Sequence, residues 1–164
     1  TRRAFALIPN EFSDYSAISA KKLLEVGMRC KTNIRISDMP EKKLVTFNKE
    51  DTLKQIIDSM LENGVRRLFL KDSSEFINDR MILEKISGDL QYLRGVENVL
   101  DLPMIDFNCA QAKILSNDLT LPELSKILYE MIHPCVIFEN KVITPWDICL
   151  VLLSKDLIEY EFRK

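Results

Sequence analysis

The chain has 164 residues, 46% hydrophobic and 29% charged, with 23 basic against 25 acidic side chains and a net charge of −2. That length suits one ordinary domain or two small lobes sharing a core. The near-neutral balance, with no long basic run, argues against nucleic acid as the main partner, and no apolar run approaches the roughly 20 residues that would cross a bilayer, so no membrane is expected.

Cys30, Cys109, Cys135 and Cys149 are scattered, with no CxxC pair and no neighbouring histidine. The sequence therefore predicts buried thiols rather than a zinc site. Nothing reads as a secretory signal peptide, and a reducing cytoplasm is the expected setting. The chain starts at Thr1 rather than at a methionine, which suits a fragment or a processed chain.

Residues 1–30 stand apart as an N-terminal extension. Arg2 to Ile8 reads as a short strand or an extended arm, Pro9 to Asp14 as a turn, and Ser16 to Met28 as a helix with Ala17, Ala20, Leu24 and Met28 on one side. From Ile36 a regular pattern begins and then recurs. Ile36 to Pro40 is echoed by Val99 to Pro103, an offset of 63 (99 minus 36), with about five extra residues following in the second copy. Thr52-Leu53-Lys54-Gln55 is echoed by Thr120-Leu121-Pro122-Glu123, an offset of 68 (120 minus 52), and both read as capping boxes.

Each box opens an amphipathic helix. One stripe is Leu53, Ile56, Ile57, Met60 and Leu61; the other is Leu121, Leu124, Ile127, Leu128 and Met131. Asn63-Gly64 closes the first helix, and strands are predicted over Val65 to Leu70 and Ile132 to Phe138. Polar turns then lead to a second short strand and a second helix in each half. Asn78 to Met81 aligns with Thr144 to Asp147, an offset of 66 (144 minus 78). The shared plan is βαββα, a tandem duplication.

The stretch Val142 to Ile148 reads as a strand running into a capped helix. Thr144 suits the N-cap, Pro145 the first helical position, and Asp147 the first turn. The same corner would present NH groups, a hydroxyl and a carboxylate on one rim, which suits a ribose and phosphates. Ile148 to Leu153 is apolar all round, so either the N-terminal segment or a second subunit is expected to cover it. Leu157, Ile158, Tyr160 and Phe162 extend the apolar tail.

These stretches, with Val45-Thr46-Phe47, Glu62 to Leu68 and Asp79-Arg80, make the chain resemble a tandem pair of CBS domains, the regulatory modules named after cystathionine beta-synthase. The likeness spans Ile36 to Leu153. It implies an α/β fold of the α+β kind, two βαββα repeats packed sheet to sheet as a CBS pair, with the first repeat at 31–90 and the second at 95–160. It also implies a regulatory module for an adenosine-containing ligand, AMP, ADP, ATP or S-adenosylmethionine, that requires no cofactor and regulates an attached or partner protein rather than catalysing. Pairs of this kind often form homodimers.

Carried over by position, the resemblance places the ribose-binding carboxylate at Asp147 and the nearby hydroxyl at Thr144. The phosphate-reaching basic pair falls on Arg66 and Arg67 in the first repeat and on His133 and Pro134 in the second. The adenine pocket falls on Val142 and Ile143, with Pro103, Met104 and Ile105. The first repeat carries Asn78 and Met81 where the second carries Thr144 and Asp147, so its cleft is expected to be empty or to take something else.

The bland readings stand beside these. Arg66 and Arg67 also suit solvated edge charges, His133 an ordinary satisfied histidine, and Trp146 surface cover of the helix start. A degenerate pair serving as a dimerisation or interaction scaffold is the alternative function. No nucleophile and base pair, metal cluster, P-loop or Rossmann fingerprint is present, so catalysis is not expected.

Overall fold

A computed structural model describes residues 6–9, 15–42, 44–88, 94, 98–104 and 107–154. Ile105, Leu157, Ile158, Tyr160 and Phe162 lie outside the described residues. The strands are β1 (Ala6–Pro9), β2 (Tyr15–Ile18), β3 (Thr46–Phe47), β4 (Arg67–Leu70), β5 (Glu75–Asn78), β6 (Ala110–Gln111), β7 (Lys113–Leu115), β8 (Val136–Phe138) and β9 (Lys141–Ile143). The helices are α1 (Ala20–Arg29), α2 (Leu53–Glu62), α3 (Asp79–Gly88), α4 (Leu121–Glu130) and α5 (Pro145–Leu152). Both copies of the βαββα plan are present: β3-α2-β4-β5-α3 and β7-α4-β8-β9-α5. Among the described residues no helix is long and apolar enough to cross a membrane.

The N-terminal helix begins four residues later than its apolar spacing suggests. Tyr15–Ile18 pairs antiparallel with Ala6–Pro9 instead, and Ser19, in extended conformation, caps α1 by accepting a hydrogen bond from the Lys22 NH. A serine cap is worth about 1 kcal/mol, enough to set a helix start where propensity is indifferent.

The chain divides into two compact units, neither coincident with a sequence repeat. The terminal unit is Thr1–Lys42 with Ile114–Lys164; the middle unit is Lys43–Lys113. In the middle unit the sheet order is β3-β4-β5-β6, with β3 parallel to β4 and the other pairs antiparallel. Its core is Phe47, Leu53, Ile56, Leu68, Ile77 and Ile82, joined by Met104 and Phe107. In the terminal unit the order is β7-β8-β9. Its core is Leu121, Leu124, Leu128, Val136, Ile143 and Ile148, joined by Ile36, Met39 and Leu24.

Each unit thus takes the body of one repeat and the opening segment of the other. Leu53 NH donates to Leu102 O at 2.9 Å and Met104 NH to Asp51 O at 2.9 Å. In the terminal unit Leu121 NH donates to Ile34 O at 2.8 Å and Ile36 NH to Leu119 O at 3.1 Å. Every residue in the first set has its counterpart 68 positions away in the second (121 minus 53, 102 minus 34, 104 minus 36, 119 minus 51).

This corrects the repeat register. Ile36 is matched not by Val99 but by Met104, and Met39 by Phe107: Met39 NH donates to Ile36 O and Phe107 NH to Met104 O, both at 3.0 Å. The apparent five-residue insertion disappears. Val99–Asp101 is a one-turn 3-10 helix of similar sequence that precedes the true counterpart.

Helix α1 packs on α4 and α5. Gly27 makes that approach possible, since a Cβ there would lie 2.4 Å from Ser125 Oγ and 3.3 Å from Ile148 Cγ2. So the N-terminal segment covers Ile148; Cys149 is also buried, while Leu150 and Leu153 on the far face stay exposed.

Candidate functional site

Strand β9 ends at Ile143, 1% exposed, and the chain turns through Thr144 into α5. Thr144 is extended (φ −135°, ψ 168°), and its NH and hydroxyl both donate to Asp147 Oδ2, at 2.9 and 2.8 Å. Asp147 NH returns a bond to Thr144 O at 3.0 Å. Pro145 begins the helix, where its missing NH costs nothing.

The carboxylate so held is 5% exposed, with Thr144 at 8% and Val142 at 7%. A buried carboxylate is costly unless each oxygen is compensated. The other oxygen, Oδ1, forms an ion pair with Lys42, whose side chain is 43% exposed. Lys42 escaped the sequence reading. The signal was the basic pair Lys42-Lys43 after Pro40, but only the exchange of opening segments brings it to the second repeat's corner.

The middle unit builds its corresponding corner without a buried carboxylate. Asn78, 7% exposed, accepts the Met81 NH on its Oδ1 at 2.9 Å and so caps α3. Arg66 Nε donates to Asp79 Oδ2 at 2.6 Å. The Arg67 guanidinium lies over the Phe76 ring, 5.3 Å from its centre, and its Nε has no hydrogen-bond partner among the described residues.

Of the residues singled out from sequence, Val142, Ile143, Thr144 and Asp147 come together in the terminal unit. Arg66, Arg67, Pro103 and Met104 belong to the middle unit. There Pro103 pairs with Thr52, and Met104 is 2% exposed in the core. His133 sits half-buried in the bend before β8 rather than within a strand. Trp146 is 47% exposed.

A separate concavity of about 220 Å³ lies in the middle unit, lined by Phe47, Lys49, Glu75, Met104, Phe107, Asn108 and Cys109. Burial, with the nearby Glu75 carboxylate, pushes the Cys109 thiol up, so it is a poor nucleophile at neutral pH. Among the described residues no group of His, Cys, Asp and Glu could hold a metal ion.

No protein-family model matches the sequence, and no curated protein matches it significantly. Solved structures do match. Protein MJ1225 from Methanocaldococcus jannaschii superimposes with a TM-score of 0.66 at 16% identity, over 90% of this chain and 59% of that one. The CBS domain protein PAE2072 from Pyrobaculum aerophilum, solved in complex with AMP, gives 0.54 at 15% identity, over 80% of this chain and 100% of that one. A CBS domain-containing protein from Bacillus anthracis gives 0.54 at 16%, over 75% and 95%.

The chain therefore has the fold of a CBS-domain pair, a mixed α/β architecture. It spans 59% of the length of the M. jannaschii protein.

Proposed function

We propose that this chain is a non-catalytic regulatory module that binds an adenosine-containing nucleotide at the Thr144–Asp147 corner and controls an attached or partner protein. The observation that carries the reading is the Asp147 carboxylate, buried at the first turn of α5 and oriented by two hydrogen bonds from Thr144. A fixed carboxylate facing a helix N-terminus supplies an acceptor for ribose hydroxyls beside NH groups that favour phosphate. The AMP complex of a protein with the same fold supports the adenosine class.

Thermal melting with and without AMP, ADP, ATP and S-adenosylmethionine tests the reading, with Asp147→Ala as control. Ligand at about a hundred times its dissociation constant adds roughly 2.7 kcal/mol, a shift of roughly 5 to 11 °C at this size. The expected result is such a shift, lost in the variant. No shift with any of them would sink the nucleotide reading.

One observation favours the scaffold reading. Trp146, Leu150 and Leu153 are 47%, 44% and 65% exposed, at helical spacings of four and three, and so form one apolar row. A homodimer joined through that row would be broken by Leu150→Glu, as read by sedimentation.

A further inference from the structure

The segment that carries Lys42 is fastened to the terminal unit at several points before it reaches Asp147. Ser37 NH and Oγ donate to the Asp118 carboxylate at 3.1 and 2.8 Å, and Arg35 Nη1 donates to Asp118 O at 2.6 Å. From β9, Lys141 Nζ donates to the carbonyls of Ser37 and Met39 at 2.7 and 3.3 Å. With Ile36 bonded to Leu119, this strap delivers the Lys42 ammonium to Asp147 Oδ1. Lys42 is also the last residue before the chain enters the middle unit.

The internal repeat supplies a control. In the 68-residue register of the opening segments the counterpart of Lys42 is Ala110 (42 plus 68); at the strand-to-helix corner, where the offset is 66, the counterpart of Asp147 is Met81 (147 minus 66). The middle unit, which holds Ala110 and Met81, lacks both charges together. Neither position therefore needs its charge for the repeat to fold, and where one charge is present the other accompanies it.

We propose that Lys42 stands in for the ligand's ribose hydroxyls at Asp147 and makes this site selective for phosphorylated adenosine compounds. The inference rests on the nucleotide reading above. A ribose diol reaches Oδ1 only if the ammonium leaves it. Released on its flexible four-carbon stem, that half-exposed ammonium turns to water and forfeits its ion pair unless the ligand brings an anion within reach. A phosphate group provides one; adenosine does not. S-adenosylmethionine offers only its carboxylate, flanked by a sulfonium and an ammonium that repel Lys42. Binding is then an exchange in which the diol takes Asp147 and the phosphate takes Lys42, with no charge left unpaired.

Isothermal titration calorimetry of the full chain tests this with adenosine, AMP and S-adenosylmethionine, for the wild type, Lys42→Met, Lys42→Arg and Asp147→Ala. The wild type should bind AMP at least about tenfold more tightly than adenosine, about 1.4 kcal/mol, and S-adenosylmethionine more weakly than AMP. In Lys42→Met adenosine should gain and AMP lose, bringing the ratio near one, while Lys42→Arg keeps the preference. An unchanged ratio in Lys42→Met, with binding still lost in Asp147→Ala, overturns the role of Lys42 and leaves the nucleotide site standing. No binding by the wild type, or binding that survives Asp147→Ala, overturns the nucleotide reading and this inference with it. Should Lys42→Met not fold, the wild type's salt response decides: the AMP preference should shrink as ionic strength rises, and a salt-independent preference overturns the proposal.

Discussion

The two strand-to-helix corners solve one capping problem with different chemistry. At the first, the neutral Asn78 amide accepts the Met81 NH, which satisfies the start of α3. At the second, Thr144 and Asp147 cap α5 but also bury a carboxylate that then requires Lys42. Asn is as good an N-cap as any residue, so the helix start alone does not call for a buried ion pair. The first corner shows what the fold needs. What the second has beyond it is the feature on which the proposed nucleotide site rests.

Transplanting the first corner's solution into the second is the sharpest way to break the comparison. Lys42→Ala alone leaves Asp147 Oδ1 unpaired and should cost about 2 to 3 kcal/mol in urea unfolding. Asp147→Met alone should cost about 1 to 2 kcal/mol, chiefly the lost cap, because the half-exposed Lys42 can turn to water. The double variant, Lys42→Ala with Asp147→Met, should be no less stable than Lys42→Ala alone. A double variant whose loss equals the sum of the singles would show that the two side chains do not act as a pair.

A smaller effect separates the units by their helices. Gly27→Ala drives a methyl against Ser125 and Ile148, where α1 meets α4 and α5. Overpacking of about 1 to 3 kcal/mol, offset by the roughly 1 kcal/mol that alanine gains in a helix, leaves a net loss of about 1 kcal/mol. Ser125→Ala in the same chain should recover part of it; no recovery would place the strain elsewhere.

The smallest effect concerns the strap. Hydrogen bonds from Ser37 hold the Asp118 carboxyl below its ordinary value. A group depressed by folding contributes stability that is present above its unfolded pKa, near pH 4, and is lost as pH falls through the folded value. Asp118→Asn should therefore flatten the acid side of the stability curve below about pH 4 and leave its shape near neutrality unchanged. An equally steep acid limb in the variant would remove Asp118 from the strap's account. In the 68-residue register the sequence carries Ile105, which has no hydroxyl, at the position of Ser37.

Local chemistry made much of the fold readable in advance. Thr52 and Thr120 cap α2 and α4 as their boxes predict, with Gln55 and Glu123 at the third positions. The Glu123 carboxyl is lowered by the bonds it accepts from Thr120. Asn63 ends α2, and Gly64 follows at φ 62°, a conformation that favours glycine. The Thr144–Asp147 cap was legible for the same reason: it is made by residues three apart. The start of α1 was not, because the helical spacing runs on through residues that the β1–β2 pairing claims.

By itself the sequence determined the two repeats, their helix starts and the carboxylate at Asp147, all set by interactions within a few residues. Only the tertiary structure decided that each repeat's opening segment joins the other repeat's body, because hydrogen bonds such as Leu53 to Leu102 and Leu121 to Ile34 span long loops and leave no local periodicity. That exchange also put Lys42 on Asp147, 105 residues apart (147 minus 42). Spacing along the chain has no way to announce such a pair; packing creates it by burying a charge that then needs a partner.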